Sequence, residues 1–216
     1  MDTLTLQQIK PVTSGPGHHL FGFHDLPAWN AAGDRLVALE VADIRTPPDP
    51  SVHYPVGYAD EEGAFVPFGT TRTFNYPQGA RQQWIGNTNS VIVNDLEKRR
   101  FISKIYDSDS RKQLATLNFP THCLANDGWA YGLDYARLFR LGAYGYAGLA
   151  DAGQHEDAPS DSGIRAHNIY TGESRLLLSV KDVAGLRQKP DSGRQHYLTH
   201  ILLSPDQKRI AFLHRY

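Results

Sequence analysis

Two guanidinium groups and two phenols fall within ten residues of one another in the segment ARLFRLGAYGYAG, residues 136–148. Arg137 and Arg140 carry forks that grip a carboxylate through two parallel hydrogen bonds. Tyr144 and Tyr146 carry hydroxyls that can donate or accept a proton, and Gly142, Gly145 and Gly148 loosen the backbone between them. The competing reading is that each arginine simply pairs with an Asp or Glu of a neighbouring element. A second group is imidazole. His196 and His200 are four apart, which in a strand puts both on one face two pleats from each other. They read equally as a ligand or acid/base pair and as hydrogen-bonding histidines between sheets. His24 and His122 stand close to turns, where function concentrates. In RQQWIG, Trp84 can stack on a ring while Gln82 and Gln83 donate to hydroxyls, or Trp84 can be packing core like Trp29 and Trp129. No HExxH, GxSxG, phosphate-cradling Gly loop or paired thiol and imidazole is present.

The elements that must position these groups are most legible at the end of the chain. HYLTHILLSPDQKRIAFLHRY reads as strand (Leu198 to Ser204), turn (Ser204-Pro205-Asp206-Gln207) and strand (Arg209 to His214). Pro fixes φ at the second turn position and Asp bonds back to its own backbone, so the reversal is written locally. Weaker copies precede it. Asn30 to Asp34 turns before a dense β-type run from Leu36 to Val41, and Gly86 to Asn89 turns between Gln82–Ile85 and Ser90–Asn94. Arg99 to Asp107 alternates as a further strand, with Glu97-Lys98-Arg99-Arg100 as a solvated turn before it. Asn126-Asp127-Gly128 is a strong hairpin signal, and Thr171-Gly172-Glu173 is another, between Ile164–Tyr170 and Ser174–Val180. Ile44 to Gly69 reads as two outer strands, with Pro47, Pro48, Pro50 and Pro55 excluding a central one. Residues 141–163 read as a long loop, Lys181 to Lys189 as one helical turn or a loop, and Leu4 to Ile9 as an edge strand.

Strand-turn-strand units recurring at this spacing indicate an all-β protein, a β-propeller of four-stranded blades. The units divide as a lead-in over 1–17 and blades near 18–75, 76–118, 119–190 and an incomplete 191–216. Three and a half blades do not close a ring. The expectation is therefore the N-terminal part of a six- to eight-bladed propeller, with self-association through open blade edges as the alternative. Asp25, Gln82, His122 and Thr199 fall on the innermost strands and should meet around a common channel.

Composition narrows the partners. The 216 residues carry 22 basic and 23 acidic side chains, a formal net charge of -1, so no bulk field draws nucleic acid or an anionic membrane. Cys123 is the single cysteine, which excludes an internal disulfide and a cysteine-rich zinc site. The first fifteen residues lack a secretory pattern and no stretch has the length of a membrane span, so the expected location is cytoplasmic.

Several motifs in order carry a family likeness: FGFHD with PAW, NYPQGARQQWIG, VIVND, YARLFRLGAYGYAG and HYLTHILLSPDQKRIAFLHRY. From His18 onward the chain resembles the TolB-like, oligogalacturonate-lyase-like propellers often encoded near polysaccharide and cell-envelope genes. That resemblance implies a carbohydrate-active protein cleaving a uronate-containing poly- or oligosaccharide by β-elimination. Such chemistry needs a cation on the C6 carboxylate, a base for the C5 proton and an acid for the leaving oxygen. Arg140 suits the first, His200 or Tyr146 the second, and His24 or His122 would be the partner. Gln82, Gln83, Trp84, Arg137, Tyr144 and His196 would then contact an acidic glycan. The alternative is a non-catalytic, glycan-binding or scaffolding propeller. The chain departs from the family pattern at His24, Asp134-Tyr135, Thr199 and Gln207. The relatives' divalent-metal set has only a loose echo in Gln195, His196 and His200, so no cofactor is assigned. If Arg140 were paired off and His200 buried between sheets, the binding reading would gain.

Overall fold

A computed structural model describes residues 10–186 and 193–216. The chain forms a partial β-propeller. Three four-stranded antiparallel sheets and one two-stranded sheet follow one another, each built from consecutive strands in chain order. The first holds β1 (His18–Leu20), β2 (Leu36–Val41), β3 (Tyr54–Ala59) and β4 (Phe65–Thr71). The second holds β5 (Gln83–Trp84), β6 (Ser90–Glu97), β7 (Arg100–Asp107) and β8 (Lys112–Leu117). The third holds β9 (Cys123–Leu124), β10 (Trp129–Gly132), β11 (Gly163–Asn168) and β12 (Ser174–Ser179). The fourth is β13 (Tyr197–Leu203) with β14 (Ile210–Arg215). No helix among the described residues is long and apolar enough to cross a membrane.

The core lies between sheets. Val37, Leu39 and Val56 of the first sheet pack on Trp84, Val91 and Val93 of the second. Ile92 and Ile105 of the second meet Ala130 of the third, and Cys123, Leu133 and Ile164 meet Leu198 and Ile201 of the fourth. Each fully buried aliphatic side chain contributes about 1.5–3 kcal/mol, and the alternating apolar positions of β2, β6 and β13 place them at these faces.

Polar side chains tie the same faces together. Asn94, fully buried, donates to the Thr121 carbonyl at 2.8 Å and accepts from the Thr121 N–H at 2.7 Å and the Ser103 hydroxyl at 2.8 Å. Asp95 accepts from the Arg72 N–H at 2.7 Å and meets the Lys104 ammonium at 2.7 Å. The VIVND motif is thus a structural hub linking the second sheet to both neighbours.

Three local readings are corrected. A short helix, α1 (Tyr135–Arg140), stands directly before the long loop, where no helix was read, because Asp134 caps it by accepting from the Arg137 N–H at 3.0 Å. Of the two readings of Lys181 to Lys189, the helical one holds for its first part: α2 (Val180–Gly185) forms under a Ser179–Asp182 capping box, while residues 187–189 and the Leu4 to Ile9 strand lie outside the described residues. β3 and β4 are the outer two strands of the first sheet, as read, but the prolines do not exclude pairing on both sides of β3: Pro55 is tolerated because the β2 ladder runs only from Val56 to Ala59. Trp29 is not core: it is 43% exposed. Trp129 is half-buried, with the Arg175 guanidinium 5.1 Å from its ring centroid.

Candidate functional site

The inner edges of the sheets meet at a buried ion pair. Arg81, fully buried just before β5, donates through Nη1 and Nη2 to the two carboxylate oxygens of Asp25, both at 2.9 Å. Its Nε and Nη2 also reach the His122 carbonyl at 2.9 and 2.5 Å. One guanidinium therefore spans segments of the first, second and third sheets. Gln82 donates to the Leu20 carbonyl at 2.6 Å, and Gln83 to those of Arg81 and His122 at 3.1 and 3.4 Å. Both amides are buried and committed to holding inner segments together. Arg81 escaped the sequence reading, although its signal was there: a cation beside the inner strand of one unit and an aspartate at the matching place in another.

Behind this pair lies a polar relay. The Asn94 amide donates to the Tyr146 hydroxyl at 3.0 Å, the Tyr146 and Tyr135 hydroxyls are hydrogen-bonded, and Tyr135 lies 2.9 Å from His122 Nδ1. Each tyrosine hydroxyl can both donate and accept along this relay. His122 Nε2 is buried without a protein partner among the described residues. Burial, then the nearby Arg81 charge, pushes the His122 pKa well down, so the ring is neutral. Tyr146 is fully buried, stacked on Tyr135 with centroids 4.1 Å apart, and burial raises its pKa. It cannot serve as a solvent-facing base, and that expectation is corrected.

Two openings adjoin this layer and share Asp25, Ile201 and Leu202. One, about 410 Å³, is lined by the first-hairpin turns of all four sheets, with Asp25 and Gln83 at its inner end. Trp29 lies on its rim beside Asn87, Asn126 and Gln207. The Asn87 and Asn126 amide side chains take no protein partner among the described residues, whereas Gln207 Oε1 accepts from the Asn126 N–H at 2.7 Å. Gln207 sits at φ 56°, the left-handed conformation that explains why a Gly would fit there. Among the described residues no Lys, Arg or His side chain lines this opening.

The other opening, about 260 Å³, is lined by Phe23, His24, Asp25 and His200 with apolar residues of β13 and β14. Tyr144 lies edge-on to His200 with centroids 5.6 Å apart, and His24 packs on Phe23 at 4.1 Å. His200 itself has φ 56° at a bulge between Thr199 and Leu202, and its Nδ1 lies 3.0 Å from the Thr199 hydroxyl. Burial and, next, the Arg215 charge lower its pKa, leaving a neutral, half-buried imidazole. His24, His200 and Tyr144 are thus brought together, with His122 in the layer behind.

The remaining candidates are placed elsewhere. Arg137, 1% exposed, donates to the carbonyls of His196, Gly153, Glu156 and Asp157 and to the Asp151 carboxylate at 3.2 Å. Arg140 donates through Nε to the same Asp151 oxygen at 2.8 Å and through Nη2 to Gln195 Oε1. Both cations share the single Asp151 carboxylate, so the cluster keeps one positive charge, but their hydrogen bonds are committed within it: Arg137 is buried and is no substrate contact, and Arg140 lines neither opening. His196 is buried and faces His214, Nδ1 to Nε2 2.9 Å, away from the four-residue spacing partner His200. Gln195, His196 and His200 thus have separate neighbours, and among the described residues no three His, Cys, Asp or Glu side chains form a metal-sized group. Trp84 packs in the core and donates its indole N–H to the Ala28 carbonyl at 2.9 Å, so it is not a stacking platform.

No protein-family model matches the chain, and no curated protein sequence matches it. Among solved structures it is similar to TolB from Acinetobacter baumannii, at 14% identity and a TM-score of 0.49. The alignment covers 94% of this chain and 39% of that one, so the chain spans well under half the length of that neighbour. The fold itself stands on the strand order, register and inter-sheet packing of the chain.

Proposed function

We propose that the chain is a non-catalytic, glycan-binding propeller module whose site is the turn-side opening. One observation carries this: an exposed Trp29 stands beside the unpartnered amides of Asn87 and Asn126, in a depression to which all four sheets contribute. An indole face covers the apolar face of a sugar ring, and carboxamides donate to and accept from its hydroxyls. The volume is in the range of small-ligand sites. β-Elimination loses support because the arginines read for it are engaged elsewhere: Arg81 pairs with Asp25, and Arg137 and Arg140 share Asp151 away from both openings. With no basic side chain at the opening, the favoured ligand is a neutral glycan rather than the acidic one that the family resemblance implies.

Titration with neutral and uronate trisaccharides tests this by calorimetry, with Trp29→Ala as the control. Binding of at least one neutral sugar, weakened about tenfold or more by the substitution, is expected. Binding that ignores the substitution would refute the site. A second reading, elimination at the smaller adjoining opening, keeps one supporting observation, the neutral His200 imidazole beside His24 and Tyr144. Appearance of the unsaturated-uronate absorbance with an acidic glycan, abolished in His200→Ala, would restore it.

A further inference from the structure

A groove of about 380 Å³ on the flank of the molecule, between the second and third sheets, belongs to neither opening. Its rim carries Arg99, from the turn joining β6 to β7, Arg100 at the start of β7, and Arg165 from β11. None of the three has a carboxylate partner among the described residues; Arg165 donates only to the Asp161 carbonyl, at 2.9 Å. The floor is apolar, with Phe101, Phe119 and Leu149. Asn118 adds a carboxamide, exposed at the wall.

Two carboxylates also line the groove, and they set its selectivity. Asp134 is already engaged, capping α1 and accepting from the Ser162 hydroxyl at 2.8 Å. Asp161 is exposed. Three guanidinium groups against two carboxylates leave an excess of one positive charge, enough to favour a monoanion and poorly matched to a dianion. The turn adds a further sign. Lys98 and Arg99 have φ of 48° and 60°, the two left-handed positions where a two-residue hairpin favours Asn-Gly. Strained basic residues there are not what the hairpin alone would select.

We propose that this groove binds a small organic monoanion, a carboxylate held by the arginine forks with an apolar ring lying on the Phe101–Phe119 floor. The proposal is independent of the sugar site. The test follows arginine Nε–Hε signals by NMR in the full chain during titration with phenylacetate, its neutral analogue 2-phenylethanol, and inorganic phosphate. Saturable shifts of Arg99, Arg100 and Arg165 with phenylacetate are expected, with much weaker responses to the other two. Affinity should fall about tenfold in each of Arg100→Gln and Arg165→Gln, and stay unchanged in Arg45→Gln. Circular dichroism of each variant confirms folding. Absent or unsaturable shifts, equal binding of phosphate, or variants that bind as well as the parent would each overturn the proposal.

Discussion

At the scale of single residues, the molecule depends on charges and polar groups matched far from water. Asp25→Ala would leave the Arg81 guanidinium buried without its counter-ion, a loss of about 3–5 kcal/mol in urea denaturation, whereas an exposed pair such as Arg45–Asp43 should be near neutral on removal. His122 gives stability a definite pH dependence. Its folded pKa lies well below its unfolded value of about 6.5, so the unfolded chain binds the proton first. The stabilisation is complete above that value and declines as pH falls below it. His167 and His200 are shifted the same way and add to the slope. Denaturation midpoints between neutral and mildly acid pH should fall, and His122→Phe should flatten the fall; an unchanged slope would refute the assignment. Cys123 is buried and its pKa is pushed up to about 12, so native thiol modification should run about a hundredfold slower than in the unfolded chain.

At the scale of elements, the sequence spoke clearly where a turn was encoded by its own residues. Ser204-Pro205-Asp206-Gln207 and Asn126-Asp127-Gly128 reverse the chain as their types require. It was silent where tertiary packing decided. α1 is six residues long, too short to show a helical period, and exists because Asp134 caps it and because its Tyr135 and Leu138 are buried in the core between the last two sheets. Next to it, a Cβ on Gly145 would collide with the α1 backbone, which is how the Tyr146 N–H comes within 3.1 Å of the Tyr135 carbonyl. The arginines of that segment were visible as chemistry, but Asp151, the carboxylate that both of them share, lies in a loop with no periodic signal. Trp29 was hidden for a related reason: a tryptophan before a strand gives no hint of which way the turn will carry it. The β6–β7 turn offers a direct test. Lys98→Asn with Arg99→Gly should stabilise the fold by about 1 kcal/mol in thermal or urea melts, by relieving two left-handed residues. The same change should weaken phenylacetate binding at the flank groove. Stabilisation with binding intact would separate the turn from the groove.

At the scale of the whole molecule, three four-stranded sheets and a two-stranded one pack face to face, and the first hairpin segment of each borders one opening. That arrangement was legible from the spacing of the hairpins, because repetition survives even where individual strands are weak. The placement of chemistry at each end was not, since it depends on which polar side chains other residues consume. The account therefore rests on Trp29 as the group left over for a ligand. Labelling with 5-fluorotryptophan gives separate fluorine resonances for Trp29, Trp84 and Trp129, which can be followed during titration with neutral trisaccharides and with trigalacturonate. The account predicts that a neutral sugar moves the Trp29 resonance saturably and leaves Trp129, which does not line the opening, in place. Resonances that all stay fixed with every neutral sugar, while trigalacturonate is bound or cleaved, would contradict it.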